Sequence, residues 1–256
     1  MCCTITIFIK MYSKDSELYQ LFSRRRHINS AVAFFFATAI ISLNAPVYSQ
    51  PSRWDVSVFR TINDSRSSLM DHLVGSNDYT VLPMAVSLPL AFSAGGMLTK
   101  TGYTVDTGIM IGVTEASAFA VYYVMKNVIF RRERPYAALS NVHTMHIDSA
   151  DKYSMPSGHS TAAFAIATTL ALRYPKPYVY IPAYAWAILV GYGRIYMGLH
   201  YPSDVIAGAA LGSASAIAVS LLGAQITDIR KRIIGNRLGI TLTLVPPAEI
   251  NLRLEF

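Results

Sequence analysis

Residues 156–204 read PSGHSTAAFAIATTLALRYPKPYVYIPAYAWAILVGYGRIYMGLHYPSD. Two apolar runs lie inside this stretch, about His159–Leu172 and Tyr178–Val190, the second extending towards Tyr196. A short basic turn joins them, Arg173-Tyr174-Pro175-Lys176-Pro177. Polar islands stand at the outer ends: Pro156-Ser157-Gly158-His159-Ser160 before the first run, and Gly193-Arg194, His200 and Asp204 after the second. Two helices joined by a tight turn return the chain to the side it came from, so both islands fall on one face. Charged and imidazole groups beside runs approaching bilayer length are costly to bury and mark a functional site.

The same pattern continues outward. Upstream, apolar runs cover about Val81–Met97 and Val105–Met125, separated by a short turn with Lys100. A polar loop, 126–158, follows and carries a further island, Lys126 and Arg131-Arg132-Glu133-Arg134-Pro135. Downstream, a run covers about Val205–Leu222, and Arg230, Lys231, Arg232 and Arg237 come after it. Hydrophobic residues make up 52% of the 256 positions and charged residues 14%, against a typical charged share of roughly 25%. These features predict an all-α fold, a polytopic membrane helical bundle of five to six spans. If residue 30 is cytoplasmic, alternation puts Lys100, Arg173/Lys176 and Arg230–Arg237 inside as well, as the positive-inside bias requires. The three islands then emerge together on the opposite face.

The flanks read differently. Residues 1–49 carry Arg24-Arg25-Arg26-His27, a 13-residue apolar run from Ala31 to Leu43, and a Val-x-Ser step before Gln50. That is a secretory signal peptide or a short first membrane helix. Residues 50–80 read as an amphipathic periplasmic segment broken near Asn63-Asp64. Residues 81–225 form the core domain, and 226–256 a basic cytoplasmic tail whose partial alternation suggests a small hairpin. Cys2 and Cys3 are the only cysteines, which excludes an internal disulfide framework or a cysteine metal site. The net charge of +7 suits an anionic partner. The basic residues are scattered among apolar runs, which disfavours nucleic acid and favours a phosphorylated lipid and the bilayer. Oligomeric state has no signature in the sequence.

The islands contain what phosphoryl transfer needs: cations around the equatorial oxygens, a nucleophile in line with the leaving oxygen, and an acid to protonate it. Lys126, Arg134 and Arg194 can supply charge-assisted hydrogen bonds. Ser157 brings a hydroxyl, and Gly158 lets backbone N–H approach an oxyanion. A helix starting near His159 would aim its positive end at the anion. His159 and His200 remain for proton transfer and attack, since the ordinary imidazole pKa of about 6.5 lies near working pH. Asp204 follows His200 by four residues, close enough to fix its tautomer.

Arg-Pro at 134–135, Pro-Ser-Gly-His-Ser at 156–160 and Arg-x5-His-x3-Asp from Arg194 to Asp204, in this order between hydrophobic helices, resemble the type 2 phosphatidic acid phosphatase superfamily. That superfamily includes membrane lipid phosphatases, soluble bacterial acid phosphatases and vanadium haloperoxidases. The resemblance covers about residues 81–222. It implies a helical bundle with its site at the extracytoplasmic face and neither metal nor cofactor. It also implies His200 as a nucleophile forming a phosphohistidine, Asp204 as its partner and His159 as general acid. Arg134, Ser157, Gly158, Arg194 and the first-motif lysine, Lys126, would hold the phosphate. Two departures stand out. Gly193 occupies the usual serine position. Lys126 is followed by seven residues before Arg134 where the family has six, so a local bulge must restore Lys126, or Arg131 or Arg132 takes its place.

The expectation is a phosphatase of the bacterial inner membrane, facing the periplasm and acting on a lipid-linked phosphomonoester or diphosphate. The block from Ser154 to Asp204 is most similar to bacterial lipid A phosphatases. Undecaprenyl diphosphate and phosphatidylglycerol phosphate are the alternative substrates. A vanadate-dependent oxidase and a non-enzymatic lipid carrier are the competing classes.

Overall fold

A computed structural model describes residues 50–145, 151–234, 239–245 and 249–255. The leader expected in residues 1–49 lies outside these.

The amphipathic segment forms two helices, α1 (Arg53–Asn63) and α2 (Ser68–Asp78). Ser52 starts α1: its Oγ accepts Asp55 N–H at 3.1 Å, and the Asp55 carboxylate accepts Ser52 N–H at 3.3 Å. The break falls at Asp64, and Ser67 caps α2 by accepting Met70 N–H at 3.3 Å. The apolar faces of both helices meet protein. Phe59 of α1 packs with Ile195 and Tyr201, and Val74 of α2 with Tyr196, Met197 and Leu199. Trp54, Leu69 and Leu73 stay exposed.

The five apolar runs become five long helices, with boundaries close to those expected. They are α3 (Val81–Leu98), α4 (Gly102–Val124), α6 (Gly158–Arg173), α7 (Pro177–Tyr196) and α8 (Pro202–Leu221). A four-residue helix, α5 (Pro135–Ala138), interrupts the loop after α4, and α9 (Gly223–Ile234) follows α8. The bundle is all-α. A two-stranded antiparallel ribbon follows it, β1 (Gly239–Val245) with β2 (Glu249–Glu255), matching the alternation of the tail.

Large apolar side chains cover the outside of the bundle: Leu82, Leu90, Phe119, Ile188, Ile206 and Ile217 are all half-exposed or more. Buried positions, in contrast, hold Thr114, Thr161, Thr168, Thr169 and Ser215. A water-soluble bundle shows the reverse distribution. Among the described residues three helices are long and apolar enough to cross a membrane: Val81–Leu98, Gly102–Ile129 and Pro202–Leu221. The chain is a membrane protein.

Close backbone approach holds α8 against α6. A Cβ on Gly212 would stand 2.1 Å from Thr161 O, and one on Gly208 would stand 2.5 Å from Ser157 O. Gly208 and Gly212 are one turn apart on the same face, the spacing that lets two helices touch through backbone.

The helix ends sort by chemistry. At the start of α4, Arg173 donates to Thr107 Oγ1 at 3.0 Å and Tyr103 O at 2.9 Å, and Arg230 Nε pairs with Asp106 at 2.5 Å. At the other end of α4, Tyr122 lies against Gly158 of α6. The two ends are ~30 Å apart at 1.5 Å rise per residue. The basic turns gather at one end of the bundle and the polar islands at the other.

Candidate active site

The surplus residue of the first motif is absorbed where the chain leaves α4. Residues Met125–Ile129 form a π turn, closed by Phe130 N–H donating to Met125 O at 2.7 Å. A π turn accommodates one extra residue in a helix. Lys126 sits on it, only 2% exposed, and donates to Tyr122 OH at 3.0 Å and to Asp151 Oδ1 at 2.7 Å. Arg134 reaches the same Asp151 oxygen, and its Nε donates to Asp151 O at 2.6 Å. Lys126 and Arg134 thus share one carboxylate. Arg132, the alternative cation, faces away from Asp151 and donates to Asp204 Oδ1 and Asp55 Oδ2, both at 2.7 Å.

The second island starts α6. Ser157 is its N-cap: it is fully buried, and its Oγ accepts from Ser160 N–H at 3.4 Å and Ser160 O–H at 3.0 Å. At the helix start the Ser157 hydroxyl thus acts as an acceptor, and these two bonds do not use its own O–H proton. At the first helical position, a Cβ on Gly158 would lie 2.9 Å from the Tyr122 ring, so any side chain there would have to displace that ring. His159 is the open member of the set, its side chain 37% exposed, with Nε2 3.7 Å from Asp78 Oδ1. Arg194, near the end of α7, donates from Nη1 to that same Asp78 oxygen at 2.7 Å. The two islands thus meet at Asp78, the last residue of α2. Arg194 Nε is buried without a hydrogen-bond partner.

The third island is tied to the others through backbone. His200 N–H donates to Arg194 O at 3.1 Å, and Ser157 N–H donates to Asp204 O at 3.0 Å. The His200 ring is buried. Arg134 Nη1 lies 3.1 Å from its Nε2, and Asp204 Oδ2 lies 3.7 Å from its Nδ1, which has no hydrogen-bond partner. Asp204 Oδ2 accepts Tyr201 N–H at 2.8 Å. Burial first, then the charges of Arg134, Arg194 and Lys126, hold His200 well below the ordinary imidazole pKa. The ring is neutral at working pH. Arginine cannot accept a hydrogen bond, so Nε2 carries the lone pair towards Arg134 and Nδ1 carries the proton towards Asp204.

All eight residues singled out in the sequence come to this end of the bundle. Three acidic residues and a tyrosine were missed. Asp151 holds Lys126 and Arg134, Asp78 holds Arg194 and lies 3.7 Å from the His159 ring, Asp55 holds Arg132, and Tyr122 bridges Lys126 to Asp151 Oδ2, donating at 3.0 Å. None of these has a motif signal. Each belongs to a segment whose approach to the site is set by folding. Fixed cations, a partly exposed imidazole and a buried neutral imidazole whose lone pair meets Arg134 are the groups that could bind a dianion, protonate a leaving oxygen and attack phosphorus.

The family model described as PAP2 superfamily matches residues 107–228. Over 63% of this chain and 82% of the relative, the sequence is 31% identical to a lipid A 1-phosphatase of Rhizobium etli. It is 37% identical to an undecaprenyl-diphosphatase of Sulfolobus acidocaldarius over 40% of this chain, and spans half the length of that relative. The crystal structure of Aquifex aeolicus LpxE superimposes with a TM-score of 0.53 at 24% identity, covering 68% of this chain and 98% of that one. The last likeness shows the fold.

Proposed function

The chain belongs to the PAP2 superfamily, and we propose that it is a membrane phosphatase that removes phosphate from a lipid-linked phosphomonoester or diphosphate through a phosphohistidine on His200. One observation carries this reading. Lys126 and Arg134 share one carboxylate, Arg194 shares another with His159, and Arg134 also touches the His200 nucleophile. Asp151 and Asp78 thus stand in for the substrate's anionic oxygens, drawing the cations to one place.

In the reaction, the phosphate takes Lys126, Arg134 and Arg194 as donors. Arg134 leaves the lone pair of His200, and Nε2 attacks phosphorus. The N–P bond forms as the bond to the leaving oxygen breaks, and His159 gives that oxygen its proton. The imidazole becomes cationic, and Asp204 closes on Nδ1–H to stabilise it, since such contacts are often long before substrate binds. Water then attacks the phosphohistidine, His159 takes back a proton, and inorganic phosphate leaves with His200 restored.

The five long helices are read as spans. The islands then face the periplasm and the basic turns the cytoplasm. Exposed apolar rows beside the site suit a substrate whose headgroup reaches the cations while its chains stay in lipid. Lipid A phosphate is the preferred substrate, on the extent of the Rhizobium match. Undecaprenyl diphosphate is the second, on the Sulfolobus match.

The test is phosphate release by purified protein in detergent from lipid A, undecaprenyl diphosphate and phosphatidylglycerol phosphate. Release from one of them, lost in His200→Ala, with an acid-labile, alkali-stable phosphoenzyme in the wild type, is expected. Binding without release would make the protein a lipid carrier.

A further inference from the structure

Asp55 reaches the site from behind, from a helix outside the matched family region, which starts at residue 107. It lies in the first turn of α1, held in place by the Ser52 capping box. Its Oδ1 accepts Ser203 N–H at 3.0 Å. Its Oδ2 accepts Ser203 O–H at 2.9 Å and Arg132 Nη2 at 2.7 Å. Arg132 in turn donates from Nη1 to Asp204 Oδ1 at 2.7 Å and to Ser203 Oγ at 2.7 Å. Its guanidinium also covers the Tyr201 ring at 4.6 Å. Asp55, Arg132 and Asp204 are each at most 3% exposed. The order of groups is therefore His200, Asp204, Arg132, Asp55.

The charges explain why a second carboxylate is needed. Arg132 alone against Asp204 would form a neutral pair, and a neutral pair stabilises a cationic imidazole poorly. With Asp55 present, two carboxylates and one guanidinium leave one net negative charge on the Nδ1 side of the ring, which turns cationic when Nε2 bonds phosphorus. Charges in a buried, dry setting act strongly on one another. Burial opposes the charged form of Asp55, but the hydrogen bonds from Arg132 and Ser203 and the guanidinium charge outweigh it and hold its carboxyl below the ordinary range. Asp55 is therefore a carboxylate at working pH.

We propose that Asp55 is a positioning residue that acts through Arg132, fixing the Asp204 carboxylate and preserving its charge towards His200. The role of His200 rests on the phosphatase reading above. Asp55 touches neither substrate nor the attacking nitrogen, so its removal acts on turnover and spares KM.

The test compares Asp55→Asn, Asp55→Glu, Arg132→Met and Asp55→Asn/Arg132→Met with the wild type, by kcat and KM for the lipid it hydrolyses. Asp55→Asn, nearly isosteric, lowers kcat by about tenfold or more with KM unchanged. Asp55→Glu, which keeps the charge, retains more kcat than Asp55→Asn, the reverse of what a purely steric role gives. In the Arg132→Met background Asp55→Asn costs nothing further. Unchanged kcat in Asp55→Asn, an equal loss in both backgrounds, or a Glu variant worse than the Asn variant overturns the proposal. If Asp55→Asn does not accumulate, Ser203→Ala takes its place, with a loss of kcat expected in the wild-type background and none in Arg132→Met. If the wild type releases no phosphate from any of the three lipids, the phosphatase reading fails. The same variants are then compared by orthovanadate affinity, which uses Nε2 without turnover, and Asp55→Asn must weaken it about tenfold.

Discussion

Arg134 Nη1 lies 3.1 Å from Nε2 of His200, so the cation proposed to bind phosphate rests on the lone pair of the proposed nucleophile. A second nitrogen of the same guanidinium is engaged by Asp151. Under the proposed function, anion binding and release of the nucleophile are one event: a phosphate that draws Arg134 off also frees Nε2. Arg134→Ala should lower kcat/KM by about 10²–10³-fold, the cost of a lost transition-state donor. Arg134→Lys, which keeps charge but not the fork, should restore only part of it. Phosphate release in detergent measures both.

The pH dependence follows from the buried ring. His200 is neutral when folded across a range in which an exposed imidazole, at its ordinary 6.5, takes a proton. Its folded pKa is depressed, so the acid limb of kcat/KM should fall below 6.5 rather than at it. The same shift acts on stability. As pH drops below 6.5 the unfolded chain binds a proton that folded His200 does not, so this ring's contribution to stability is lost down to its folded pKa. The thermal midpoint should fall between pH 7 and pH 5, and less so in His200→Gln.

Lys126 is brought to the site by the π turn at Met125–Ile129. Deleting Asn127 gives the six-residue spacing and should let an ordinary helical turn deliver Lys126, with phosphate release retained. Deleting Asn127 and Val128 together should rotate it away and abolish release. Lys126→Ala should lose activity without loss of folded protein on size exclusion.

Asp151 pairs with Lys126 and Arg134, and under the proposed function it competes with substrate for them. Its side chain is half exposed, so the competition is modest. Asp151→Asn should tighten inhibition by inorganic phosphate several-fold. Weaker inhibition would mean that Asp151 organises the cations more than it competes for them.

Packing makes a prediction apart from the chemistry. The missing side chain of Gly212 lets α8 touch α6, where a Cβ would stand 2.1 Å from Thr161 O. Backbone cannot yield as a flexible side chain does. Gly212→Ala should destabilise the bundle by about 1–3 kcal/mol, read as a lower thermal midpoint in detergent.

Much of this molecule was legible in its sequence. The start of α3 at Val81, the turn at Arg173–Lys176 and the break after Asn63 fell where apolar runs, prolines and polar caps placed them. The cations and imidazoles of the three islands were legible too, because few charges stand beside membrane-length runs without a purpose. The surplus residue after Lys126 was visible as a spacing, and only the structure showed a π turn absorbing it.

A helix satisfies its own backbone, so its presence and length follow from neighbouring residues, and the sequence alone determined the bundle and which islands share its end. The carboxylates were another matter. Asp55, Asp78 and Asp151 carry no motif, and each meets a cation on a different segment: Asp55 lies 77 residues from Arg132 and Asp78 lies 116 from Arg194. An ion pair is chosen by which groups the whole fold brings within ~4 Å, and that choice belonged to the tertiary structure.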